Sequence, residues 1–431
     1  MKRKVLILFT LLIPWSSTLQ AQKIITLKEC YDKALAANAL ANEKKAYSDI
    51  WQLKNSNISK GWLPTLDANA SFIYNSDVVD MRGIFSNISP GIASAIKPLP
   101  HEQYKITLDI NQVIYDGGVM KGAKAIEKAD LSVNEQQTEV FLYKIRGQVN
   151  NCYFTILLLV RQKELLNAYL ELIGKRLLSM QSALNSGVII KSDIDVLTSE
   201  RIRIEQQLSE NDIKKASLIS ILSDLTGSAI DSQTEFIMPQ SGNELSYEIS
   251  RPELKVFDLR KEQLNSGLNV IQSKRMPKAF GFATLGYGNP PGSNFFKDEF
   301  APYYIIGAGV KWNIFDWNRV KNERQQIKIQ QEIIEYRKTD LTDNLKRMLQ
   351  SKNAEITSLQ SLIEKDSELI ALRKRITAAA ESQYENGTIT ATDYLNELNS
   401  ERQALINYEI HKINLVMAQV EFLNISGKEI E

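Results

Sequence analysis

Residues 104–118 read Tyr-Lys-Ile-Thr-Leu-Asp-Ile-Asn-Gln-Val-Ile-Tyr-Asp-Gly-Gly. Tyr104, Ile106, Leu108 and Ile110 face one way and Lys105, Thr107, Asp109 and Asn111 the other, the period of two that marks a strand. Asp116-Gly117-Gly118 ends the run. Residues 119–185 then continue for 67 residues without a proline, about 100 Å of helix at 1.5 Å per residue. A strand with one fully polar face fits a half-buried sheet in water, and it equally fits a membrane strand that is apolar outside and wet inside. For a single strand the first reading is the better one, so the rest of the chain has to decide.

The same transition recurs 200 residues later. Tyr115-Asp116-Gly117 pairs with Phe315-Asp316-Trp317, Asn185-Ser186-Gly187 with Glu385-Asn386-Gly387, and Leu225-Thr226-Gly227 with Ile425-Ser426-Gly427. Ser199-Glu200-Arg201 returns one residue out of step as Ser400-Glu401-Arg402, and Gly61-Trp62-Leu63-Pro64 is answered by Lys274-Arg275-Met276-Pro277. The chain is therefore a duplication: a first repeat over 22–227, a linker over 228–250 and a second repeat over 251–431. Each repeat carries two strand-like runs, about 65–75 and 104–114 in the first, about 279–288 and 303–313 in the second. The third of these is the weakest, being rich in glycine. Tyr104, Tyr115, Tyr303, Tyr304, Trp312, Phe315 and Trp317 crowd the strand ends, where a bilayer interface holds aromatic side chains. Residues 76–103 and 289–302 then become outward loops.

From Ile145 the apolar positions of the long segment step by four and three: Val149, Cys152, Ile156, Leu159, then Leu166, Leu170, Ile173, Leu177, Met180 and Leu184. That is a coiled-coil seam, and 318–385 repeats it less sharply. The return helices, 192–225 and 391–425, are about half as long as the helices they accompany. Helices over 27–60 and 252–275 have the right size to complete them end to end, with 228–250 as a collar between.

The chain has 431 residues, 43% hydrophobic and 24% charged, with a net charge of +1, which leaves no basic field for nucleic acid. Lys2-Arg3-Lys4 followed by the apolar run Val5 to Trp15 is a secretory signal peptide over residues 1–21, cut after Ala21, with no cysteine there to carry a lipid. No later run is long and apolar enough for a membrane helix. Four strands cannot close a barrel, small barrels need about eight, and an open edge in lipid leaves backbone groups unpaired. At least two chains must share one barrel.

With these features the chain resembles the TolC family of outer membrane efflux proteins over residues 23–427. The carriers are Thr26-Leu27-Lys28-Glu29-Cys30 with Ala34-Leu35, Leu63-Pro64, Tyr115-Asp116-Gly117-Gly118 and Arg251-Pro252-Glu253-Leu254. The most specific are the two tips, Gly187-Val188 with Ser192-Asp193-Ile194, and Gly387-Thr388 with Thr392-Asp393-Tyr394-Leu395. The resemblance implies a membrane-β plus α fold: a homotrimer with four strands per chain in a shared 12-stranded barrel, and long coiled-coil helices forming a periplasmic tunnel. It implies location in the cell outer membrane, in contact with outer-membrane lipid. It also implies work with a periplasmic membrane fusion (adaptor) protein and an inner-membrane pump of the RND or ABC type, in tripartite efflux or type I secretion.

Read from the residues alone, Gly187 and Gly387 are left-handed helix terminators, Ser192 and Thr392 caps, and Asp193 and Asp393 first-turn carboxylates suited to the helix dipole. By the resemblance, Gly187, Val188, Ser192, Gly387, Thr388 and Thr392 form adaptor-contacting tips. Asp193 and Tyr384 then match a contact that holds the periplasmic gate shut, and Asp393 an acidic ring. Ile389 stands where the best-known member has a gate arginine, and Asn396 where it has a second ring aspartate, so fewer charged ties are expected here. Asp116 and Asp316 read as helix caps.

Cys30 and Cys152 are the only cysteines, 31 residues before Gly61 and 36 after Asp116. They fit either a mid-height disulfide or two small buried hydrophobes, Cys152 being a seam position. His101 and His411 are the only histidines, and no nucleophile triad, phosphate loop or metal box is present, so no catalytic residue, metal or cofactor is expected. The rival reading is a periplasmic coiled-coil scaffold or adaptor without a pore, which accounts for the heptads but not for the strands.

Overall fold

The computed structural model describes residues 24–83, 91, 98–187, 189–240, 246–294 and 297–429; the leader expected at 1–21 lies outside them. In chain order the elements are β1 Ile24–Ile25, α1 Leu27–Ala37, α2 Glu43–Lys60, β2 Thr65–Tyr74, β3 Glu102–Tyr115, α3 Val119–Asn185 and α4 Lys191–Thr226. They continue with β4 Glu235–Phe236, α5 Pro252–Ser273, β5 Lys278–Asn289, β6 Ala301–Lys311, α6 Arg319–Glu385 and α7 Ala391–Ser426. The single helix expected over 27–60 is in fact two, parted by a 3-10 turn at Ala39–Asn42. Asn38, extended at φ −70° and ψ 128°, ends α1, and its side-chain oxygen accepts from the Leu40 amide at 2.9 Å, competing with helix continuation.

Contacts divide the chain into two compact units, each drawn from both repeats: Asn42–Phe141 with Arg251–Asn344, and Met1–Ala41 with Leu142–Ser250 and Leu345–Glu431. The first unit holds one antiparallel sheet in the order β2-β3-β5-β6, so the two repeats meet at the β3–β5 pairing. The register aligns Ala68, Leu108, Leu285 and Tyr304 across all four strands on one face. Along that face Leu66, Ile106, Leu285, Tyr304, Ile306 and Val310 are exposed. At one end of the sheet Phe72, Tyr104, Phe300 and Tyr287 form a chain of rings with centroids 4.9–5.9 Å apart. At the other, Phe315 and Trp317 meet edge to face at 4.8 Å. The helices of this unit are joined mainly by polar ties, such as Lys54–Glu127 at 2.8 Å and Lys338–Asp258 at 2.6 Å, and α2 buries no residue.

The second unit has the larger core. Val149, Cys152, Tyr153, Phe154 and Ile156 of α3 pack with Leu27, Tyr31 and Ala34 of α1, Leu222 of α4 and Val420 of α7. Ile24–Ile25 pairs in parallel with Glu235–Phe236, and the buried Tyr153 hydroxyl sits 3.0 Å from the Ile25 carbonyl and 2.7 Å from that of Ile237. Those two short strands belong to the N-terminus and to the linker, so the collar expected over 228–250 is tied to the start of the chain. Cys30 and Cys152 are free thiols in this same cluster, and burial pushes the Cys30 thiol up to about 12.

The strand-to-helix corners differ between repeats. Asp116 is buried, and its carboxylate accepts from the amides of Gly118 at 2.8 Å and Met120 at 2.5 Å. Among the described residues the Asp316 carboxylate accepts from the Val320 amide only, at 3.2 Å. Gly117 and Gly118 take positive φ (73° and 91°), and in the second repeat Trp317 and Asn318 are held at 53° and 62°, a conformation glycine adopts without strain. Asp116→Ala is therefore expected to destabilise the protein by about 1–2 kcal/mol, the upper range for a lost cap, and Asp316→Ala by less. Denaturant titration of both variants in detergent checks the order.

Candidate functional site at the hairpin tips

The ends of α3 and α6 carry the residues that the sequence singles out. Gly187 and Gly387 adopt φ of 71° and 70° and close their helices. At the second tip the Gly387 amide donates to the Tyr384 carbonyl at 3.0 Å and the Thr388 amide to that of Gln383 at 2.9 Å, a Schellman closure. Thr388 also donates its hydroxyl to the Gln383 carbonyl at 2.8 Å. Val188 lies outside the described residues.

The caps are not where the spacing placed them. Helix α7 begins one residue before Thr392, and its cap is Thr390, whose hydroxyl accepts from the Asp393 amide at 3.1 Å. The Asp393 carboxylate answers by accepting from the Thr390 amide at 3.1 Å and hydroxyl at 2.7 Å, a reciprocal capping box. Thr392 is exposed inside the first turn. At the first tip the cap position is Ile190, which offers no side-chain acceptor, and Ser192 is likewise an exposed helical residue. The error has a simple cause: both Thr390 and Thr392 are good caps by type, and only the chain direction after Gly387 chooses between them.

Asp193 and Tyr384 are brought near one another without a hydrogen bond. Burial, and next the charge of Asp193, raises the Tyr384 phenol above its ordinary value, and its hydroxyl finds no partner among the described residues. Tyr384 stacks instead on Tyr394, at 5.6 Å and 12° between planes. Ile389 packs against the cluster that contains Tyr394, Leu395, Ala391 and Ile173. The apolar side chain thus holds by packing a place where the resemblance sets a charge.

The sequence reading missed the strongest tie at this end. Arg176 of α3, with its side chain only 13% exposed, pairs with Glu381 and at 2.9 Å with Glu385, both on α6. Its guanidinium also lies 5.3 Å from the Tyr394 ring centroid. A second tie joins the two return helices: Glu200 of α4 and Arg402 of α7, both 8% exposed, lie 3.2 Å apart. The contact is close but poorly aligned, since that guanidinium nitrogen makes no hydrogen bond. Arg402 is 5.3 Å from the Tyr169 ring centroid, and the Tyr169 hydroxyl donates to the Leu398 carbonyl. Glu200 and Arg402 come from the Ser-Glu-Arg landmark that marks the duplication, so the repeat was visible while the pairing across it was not. Arg176 sits beside seam position Leu177, and a charge at a seam edge is the signal that could have revealed it.

Among the described residues no group of side chains is placed to hold a metal, and no helix is long and apolar enough to cross a membrane. Residues 247–417 match the family described as Outer membrane efflux protein. No curated protein matches the chain. Among solved structures the chain is similar to CusC, a transmembrane channel, with 12% identity over 94% of this chain and 92% of that one at a TM-score of 0.69. It is similar to VceC, an outer membrane protein of Vibrio cholerae, with 15% identity over 94% and 97% at 0.66. It is also similar to the MtrE outer membrane channel of Neisseria gonorrhoeae in its open state, with 13% identity over 94% and 89% at 0.63. The family match covers most of the second repeat, and the chain as a whole shares the TolC-like fold of these channels.

Thr390→Ala is expected to weaken the first turn of α7 by about 1 kcal/mol, whereas Thr392→Ala stays within about 0.5 kcal/mol. Hydrogen exchange of residues 391–395 reads both. The Thr390 contacts hold the Asp393 carboxyl below its ordinary value, so the capping box contributes above the carboxylate range and is lost as pH falls through it. Protection factors of the same amides, corrected for the intrinsic exchange rate at each pH, should fall below about pH 4.

Proposed function

We propose that this chain is one subunit of an outer-membrane exit duct, a passive conduit for efflux or type I secretion. The observation that carries the reading is the sheet: four antiparallel strands with an exposed apolar face and an aromatic cluster at each end, joined to coiled-coil helices of 67 residues. In water that face is a large aggregation surface, and in lipid it is a barrel wall. Three chains supply twelve strands, the number the TolC-like fold suggests for a closed barrel. The coiled coils then reach into the periplasm, and the Gly187 and Gly387 tips form the far entrance.

At that entrance the tips, with Gly187, Val188, Ser192, Gly387, Thr388 and Thr392 at their ends, are the surface offered to a periplasmic adaptor, which couples the duct to an inner-membrane pump. The gate rests on Asp193, Tyr384 and Asp393. Tyr384 is half-buried and stacked on Tyr394, and the Arg176 ties to Glu381 and Glu385 hold the two hairpins of one chain together. Asp393 is bound into its capping box and Asn396 is neutral, so block by multivalent cations is weak. The scaffold reading gains no support from any particular contact.

Full-length protein extracted from membranes and placed in planar bilayers is expected to show small, mostly closed single-channel currents. Arg176→Ala, which frees both carboxylates, should raise the mean current severalfold. Recovery of the protein from a soluble fraction without detergent, together with no conductance, would refute the duct. A current unchanged by Arg176→Ala would refute the clamp alone.

A further inference from the structure

The face of the sheet opposite Leu108 and Ile306 is chemically divided. On β2 and β3 it is polar, and the Asp109 carboxylate accepts from Asn69 at 2.8 Å, Thr107 at 2.9 Å and Thr284 at 2.6 Å. On β5 and β6 the same face carries Phe280, Phe282 and Tyr303. Each of these stands in register opposite a glycine: Phe280 opposite Gly309, Phe282 opposite Gly307, and Tyr303 opposite Gly286. A Cβ added to Gly309, Gly307 or Gly286 would lie 2.7, 2.4 or 2.2 Å from the nearest ring atom. The rings therefore lie down across the neighbouring strand, with their faces turned outward from the sheet. Glycine is a poor strand residue, and in a strand it marks a place where something approaches the backbone closely. Here that something is a ring, three times over.

The charges on this face are ordered as well. Lys278 and Lys311 pair at one end and Lys105 stands toward the other, while Asp67 and Asp109 are direct cross-strand partners between them. Like charges placed opposite one another are unfavourable; Asn69, Thr107 and Thr284 offset part of that on Asp109, and a cation on this face would relieve the rest. Thr284, bonded to Asp109, lies two residues along the same face from Phe282, about 7 Å at strand rise. An aromatic face attracts a cation through its quadrupole, and a planar cation gains stacking besides.

We propose that Phe280, Phe282 and Tyr303, together with the Asp67–Asp109 pair, form a binding track for planar aromatic cations in the bore of the barrel. The inference rests on the duct reading, in which this face lines the bore. Phe280 and Phe282 are each 37% exposed, enough to present one ring face while the other covers the neighbouring strand. The track makes the barrel wall discriminate among solutes: cationic dyes dwell on it, and anions or compact cations pass.

Rhodamine 6G, a planar xanthene cation, tests this against fluorescein, a planar anion, and tetraethylammonium, a cation without a ring. In planar bilayers holding the full-length protein, rhodamine 6G is expected to block at a lower concentration than either control. The double variant F280L/F282L should raise its half-blocking concentration about tenfold, measured against each variant's own open current. If the double variant does not assemble, D67N is read in the same way, with weaker rhodamine 6G block expected. Equal block of wild type and variant, or equal block by rhodamine 6G and fluorescein, overturns the track and leaves the duct standing. No current from the wild type overturns the duct, and the track with it.

Discussion

Every backbone amide and carbonyl that faces hydrocarbon has to be paired within the protein, at several kcal/mol for each one that is not. The sheet of this chain pairs β2 with β3, β3 with β5 and β5 with β6, and stops. Among the described residues no strand lies beside the outer edges of β2 and β6, and the face they border is lined with exposed Leu66, Ile106, Ile306 and Val310. Neither feature is tolerable in isolation. Closing the edges against other copies satisfies the backbone, and surrounding the closed wall with lipid satisfies the side chains. The same shortfall runs into the helices: α2 buries nothing, and α5 buries only Val256 and Ser273. In the proposed duct, these elements pack against neighbouring chains.

The two repeats have diverged in ways that serve different physical ends. At the corner the first uses Gly117-Gly118 and a buried, doubly bonded Asp116, while the second accepts Trp317 and Asn318 in the left-handed region and so keeps an exposed indole beside Phe315. At the tip the first helix of the return has no side-chain cap and the second has a full capping box. Arg176 and Arg402 each reach from one repeat to carboxylates of the other, so the hairpins are tied by contacts that the duplication did not copy.

Much of this was legible in the sequence because it rests on periodicity. The seam from Ile145 to Met180 follows a fixed step, and Ile145, Val149, Ile156, Leu166 and Ile173 are buried as that step requires. Strands β3 and β6 alternate cleanly for the same reason. Strand β5 reads poorly because part of its pattern is set across the sheet: Gly286 lies under the Tyr303 ring of β6, and a cross-strand partner cannot be seen along one stretch of chain. The break at Asn38 and the choice of Thr390 over Thr392 were missed because each is settled by a local backbone angle among residues of equal propensity. Arg176 was missed because its partners Glu381 and Glu385 are some two hundred residues away.

The central claim is that one chain supplies only part of a barrel. Native mass spectrometry of the detergent-extracted protein tests it most directly. A single assembly at three times the mature chain mass is the expected result, resistant to dilution because its strand edges are paired. A stable monomer in detergent at all concentrations would contradict the account.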